Sequence, residues 1–162
     1  MNTIKLSFSY FLILLMAILS ISVANAQNGN VFKITVDKPM SDVYGSVYSS
    51  LEGARFFVVF EPDIGKNIAG FAERWGDEYN QNALSGLRSM VFCNAWYANQ
   101  VSNKDPDMLG LCPLHLSLYE KEGKTTVVFN RPTAFSMDSP AHSIIQEIEN
   151  KVIAAIKKGI QK

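Results

Sequence analysis

The pattern of this chain predicts an α+β two-layer sandwich, a mostly antiparallel sheet with two long helices packed on one face. Three observations carry that expectation. Short runs rich in β-branched and aromatic residues recur between Val31 and Asn130, the last two joined by Lys121-Glu122-Gly123-Lys124 as a hairpin turn. Two segments, from Met40 and from Ser139, place apolar residues at helical spacing. No repeat, linker or low-complexity run divides residues 27–162, so a single α+β domain is expected there.

Val31-Phe32-Lys33-Ile34-Thr35-Val36 alternates and reads as the first strand, ended by Asp37-Lys38-Pro39. Met40 to Glu52 reads as a helix whose stripe is Val43, Val47 and Leu51, with Gly53 as its stop. Arg55 to Glu61 is the most apolar strand segment, with Phe56, Val58 and Phe60 on one side and Phe57 and Val59 on the other. That composition predicts a central strand covered on both faces. Ile64, Ile68, Phe71 and Trp75 suggest one short helix, followed by a polar loop through Asn80-Gln81-Asn82.

Ser89 to Cys93 reads as a third strand, and Asn94 as the N-cap of a short helix to about Val101. A turn is expected at Asn103 to Pro106. Leu114 to Glu120 alternates most cleanly, with Leu114, Leu116 and Leu118 opposite His115, Ser117 and Tyr119. Thr125 to Asn130 returns from the hairpin. The last helix is expected to start with Ser139 as N-cap and Pro140 as its first residue. It would bury Ile145, Ile148, Val152 and Ile156, with Glu147 and Lys151 paired outside.

Two features remain to be housed. The strands at Phe56 and Met90 bring apolar residues to both faces, whereas the helices cover one. A second copy of the chain or the segment with Trp75 is expected over the other face, because large bare apolar patches are rare on monomers. The N-terminus is the second feature. Lys5, the apolar run Phe8 to Val23 and the small-x-small site Ala24-Asn25-Ala26 read as a signal peptide over residues 1–26. A periplasmic or secreted protein is therefore expected, touching the membrane only through that segment before cleavage.

The charge balance, 15 basic against 15 acidic residues in 162, gives no electrostatic footprint for nucleic acid. The only cysteines, Cys93 and Cys112, are expected to form a disulfide between neighbouring strand ends, as export to an oxidising compartment favours. The alternative is redox or metal and haem handling by Cys93, Cys112 and His115, with Met108 and His142 as further soft ligands. Paired-ligand spacing is absent, and Cys112 and His115 would point to opposite faces of an extended strand, so no metal or cofactor is assigned. Asn103-x-Asp105-x-Asp107 lacks the glycine and glutamate of a calcium loop.

No nucleophile-elbow, zinc-protease or phosphate-loop motif occurs, so no catalytic residues are assigned. The row His115, Ser117, Tyr119, with Arg131 as a nearby cation, is the candidate ligand face for a small molecule or a protein.

Phe92-Cys93-Asn94-Ala95, Asp105-Pro106, the run Pro113 to Glu120, Arg131-Pro132 and the earlier Pro62-Asp63-Ile64 together resemble the bacterial domain of unknown function numbered 302. The resemblance runs from about Val31 to Ile156. It implies a compact α+β fold, a dimeric tendency and no established reaction. Many members carry a cysteine just after the proline that precedes the fourth strand. Here that place is Leu114 and the cysteine precedes Pro113, so no family role passes to Cys112. The combined expectation is an exported binding or accessory domain, forming a homodimer.

Overall fold

The computed structural model describes residues 29–161, and the expected signal segment lies outside them. Strands β1 (Val31–Val36), β2 (Phe57–Phe60), β3 (Gly86–Cys93), β4 (Leu114–Lys121) and β5 (Lys124–Asn130) form one antiparallel sheet in the order β1-β5-β4-β3-β2. Helices α1 (Met40–Gly53), α2 (Ile64–Ala69), α3 (Ala72–Trp75), α4 (Ala95–Lys104) and α5 (His142–Ile160) complete the fold. The long pair α1 and α5 pack on each other and cover one face of the sheet, which is the expected two-layer α+β architecture.

The core follows from strict alternation. Phe32 and Ile34 of β1, Met90 and Phe92 of β3, Leu116 and Leu118 of β4, and Val127 and Phe129 of β5 all face the helices. Val43, Val47 and Leu51 of α1 meet them, as do Ile145, Ile148, Val152 and Ile156 of α5. At the hairpin, Lys121 pairs with Lys124, and Glu122 and Gly123 take φ of 52° and 71°. Positive φ at both centres matches the right-handed twist of the flanking strands. Asn94 caps α4 as expected, its Oδ1 accepting the Tyr97 N–H at 3.1 Å. Glu147 and Lys151 pair at 3.1 Å.

The segment Arg55 to Glu61 departs most from expectation. Only Phe57–Phe60 is a strand, and it lies at the edge of the sheet, not at its centre. The cause is the end of α1. Arg55, not Gly53, makes the left-handed turn (φ 64°), and the Phe56 N–H donates back to the Leu51 carbonyl at 2.9 Å. That turn drives Phe56 into the core, stacked on Tyr97 with ring centres 6.0 Å apart. Phe57, Val59 and Phe60 are left 54%, 65% and 63% exposed.

Three smaller boundaries also move. α5 begins at His142, and Ser139 is not its N-cap residue; its Oγ accepts from the Ala141 N–H and donates to Asp105 Oδ2. The Asn103–Pro106 turn is instead the end of α4 followed by a 3₁₀ turn, Pro106–Leu111. The single helix expected from Ile64 is two short ones, in which Phe71 and Trp75 stack on each other at 5.1 Å and remain exposed. Of this segment, the helix Ile64–Ala69 is the part that packs beside β3. Among the described residues, no helix is long and apolar enough to cross a membrane.

Candidate functional site

The alternation that fills the core sends His115, Ser117 and Tyr119 of β4 to the outer face, as expected. Each has a separate environment. His115 is exposed and sits opposite Val91. Ser117 Oγ lies 2.5 Å from Ser89 Oγ across the strand pair. A hydrogen bond with Thr126, then a hydrogen bond and the positive charge of Lys33, hold the Tyr119 phenol below its ordinary pKa. Residues two apart on a strand stand about 7 Å apart, so the three do not form a proton relay.

Arg131 does not join this face. It follows Asn130, an outward residue, so its side chain turns to the helix layer. There its Nη1 donates to Glu149 Oε1 at 2.6 Å. The Thr133 N–H and hydroxyl donate to the other oxygen, Oε2, at 3.1 and 2.5 Å. The cation is consumed by a buried carboxylate of α5. Lys33 of β1 and Lys121 of β4 are basic groups that the fold brings to the outer row.

The two sulfurs do come together. Cys93 closes β3, Cys112 precedes β4, and their Sγ atoms face each other as thiols 3.6 Å apart, both half-buried. They line a small, mainly apolar cavity of about 40 Å³ with Met108, Phe56, Tyr97 and Val101. Burial, then the hydrogen bond from Cys93, pushes the Cys112 thiol up to about 11. That keeps it protonated and a poor nucleophile at neutral pH. His115 is separated from this pair and lines a different depression, with Pro113, Asn130 and Phe135. His142 is placed elsewhere again, its Nδ1 3.0 Å from Ser136 Oγ. The set Cys93, Cys112, His115 is therefore not assembled, and no cluster of three or more His, Cys, Asp or Glu residues suited to a metal occurs among the described residues.

A larger concavity than that beside the cysteines lies at the start of β3, away from the outer row. β2 pairs only with Val91, Phe92 and Cys93, so the start of β3, paired with β4 on one side, has no strand on the other. α2 takes that place. Gly65 approaches so closely that an added Cβ would stand 3.1 Å from the Leu87 nitrogen. Between α2, the start of α1 and the start of β3 lies a cavity of about 360 Å³, into which Arg88 and Lys66 are brought. Arg88 has the inward parity of β3, with Met90 and Phe92. Its guanidinium stacks on the Tyr44 ring at 3.8 Å. Its Nε is buried with no hydrogen-bond partner. The signal available in the sequence was this parity: one cation among the core-facing residues of an otherwise apolar strand.

Comparison with known proteins agrees with this architecture. The profile of the family described as "Domain of unknown function DUF302" matches residues 32–159. A crystal structure of an uncharacterized conserved DUF302 protein from Bacillus stearothermophilus is similar, with a TM-score of 0.68 at 20% identity. The match covers 80% of this chain and 97% of that one. At that identity the likeness is one of fold. No curated protein matches the sequence.

Proposed function

Because the chain belongs to the DUF302 family, whose function is unknown, we propose that it is an exported, non-enzymatic accessory domain that acts by binding and pairs with a second copy of itself. The observation that carries this reading is the bare apolar edge, where Phe57 and Phe60 project from a strand with no neighbour on one side. Burying one phenylalanine contributes about 2 kcal/mol, so two from each copy supply about 8 kcal/mol. The cost of association is of the same order, about 4–15 kcal/mol. A dimer built there dissociates on dilution.

Light scattering on chain beginning at Gln27 tests this. It should give a dimer mass at high concentration, and Phe60→Glu should give a monomer with an unchanged melting temperature. A wild-type monomer at all concentrations defeats the dimer. Export is tested by the intact mass of protein recovered outside the cytoplasm, which should begin at Gln27.

In an oxidising compartment Cys93 and Cys112 close a disulfide, for which the sulfurs must move from 3.6 Å to about 2.05 Å. Intact mass without reductant should then show the loss of two hydrogens. A second reading, soft-metal handling, is favoured by one observation, the third sulfur that Met108 adds to the cavity of Cys93 and Cys112. Stoichiometric copper in protein purified from its native compartment would replace the disulfide with that reading.

A further inference from the structure

We infer that the cavity between α2 and the start of β3 is a binding site for a small carboxylate with a hydrocarbon tail, held by Arg88. This deepens the binding reading by naming a ligand class. It stands apart from the β2 edge, so a monomeric protein would end the dimer and leave this site intact. The two cavities differ in what they can hold. The one beside the cysteines, at about 40 Å³, has room for an ion or a water. The one at Arg88, at about 360 Å³, is of the size that takes a small organic molecule.

The ligand class follows from which polar groups remain free. Asn80 is closed on Leu84, its amide donating to the carbonyl and its Oδ1 accepting the N–H, both at 2.9 Å. Ser85 Oγ donates to Glu120 Oε1 at 2.8 Å. Asp63 Oδ1 accepts the Lys66 N–H at 2.9 Å as the cap of α2. Burial, then the neighbouring Glu61 carboxylate, raises the Tyr44 pKa, and the Tyr44 hydroxyl donates to the Ser89 carbonyl at 3.3 Å. Neither carboxylate forms an ion pair with Arg88.

The guanidinium thus reaches the cavity with its face on Tyr44, its Nε unpartnered and no carboxylate within ion-pair distance, although Asp63 also lines the cavity; Lys66 adds a second cation at the rim. A half-buried guanidinium is the group best suited to a carboxylate, which it binds by charge-assisted hydrogen bonds. Met40, Ile68 and Leu84 supply the wall for a tail.

Hexanoate, hexanol and inorganic phosphate serve as probes of the mature wild-type chain in an NMR titration. Hexanoate is expected to bind at least roughly tenfold more tightly than hexanol or phosphate, the difference a charged hydrogen bond makes. It should shift the Arg88 Nε–H resonance together with the amides of Gly65 and Leu87. Arg88→Met should weaken hexanoate by roughly tenfold or more and leave hexanol unchanged. Should that variant not fold, the wild-type probe comparison and the Arg88 resonance decide. Equal binding of hexanoate and hexanol, phosphate binding as tightly as hexanoate, an unmoved Arg88 resonance, or no hexanoate binding at millimolar concentration would each overturn the site.

Discussion

The two faces of one sheet are built from alternate residues of the same strands, yet they do different work. On β4, Leu116 and Leu118 are fully buried, whereas their neighbours His115, Ser117 and Tyr119 look outward into mixed polar surroundings. On β3, Met90 and Phe92 are sealed, and Ser89 and Val91 face the other way. Among the described residues two buried side-chain polar atoms lack a partner, Ser50 Oγ in the helix layer and Arg88 Nε at the end of the inner face, where an arginine replaces a hydrophobe. The outer face has polar groups satisfied in pairs at its middle and unsatisfied apolar surface at the β2 edge. Stability should therefore concentrate on one face and recognition on the margins: the edge of β2 and the corner at Arg88.

The largest test of that contrast is Phe92→Ala. Its ring is buried against Phe56 and Phe129, and its removal should cost about 3–5 kcal/mol in urea unfolding. The next is Arg131→Ala, which strips the buried Glu149 carboxylate of its cation and should cost about 3 kcal/mol by the same assay. Thr133 keeps its hydrogen bonds to Oε2, so the loss should not exceed that of Phe92.

Gly159→Ala sharpens the comparison within the helix layer. An added Cβ would stand 2.7 Å from the Val47 Cα, backbone against backbone. The substitution should lower stability by about 1–3 kcal/mol, against the gain of roughly 1 kcal/mol that alanine brings to an open helix position. On the outer face, His115→Ala should change stability by less than about 0.5 kcal/mol, since His115 is exposed and holds no other group in place. A loss of more than 2 kcal/mol there would mean that the outer face is part of the core.

The site was less legible in the sequence than the fold. Compartment and count pair Cys93 with Cys112, and the fold brings the two sulfurs face to face. Proximity to β5 suggests the outer row for Arg131, but one residue of parity sends it to Glu149 instead. Arg88 falls just outside Ser89 to Cys93, the part that reads as a strand, so local patterning does not include it in the core-facing set. Its importance lies in lacking a partner, which no local pattern reports.

Local periodicity settled what local physics controls: Val43, Val47 and Leu51 on one helical stripe, Leu116 and Leu118 on one strand face, Asn94 as a cap. These depend on residues a few positions apart, whose geometry is set by backbone dihedrals. Only the tertiary structure decided that β2 is an edge, that Arg131 meets Glu149, and that α2 stands in for a missing strand beside Arg88. Those outcomes depend on which distant segments become neighbours. The energy that selects neighbours is the burial of whole faces, to which a single residue's type contributes without revealing its partner.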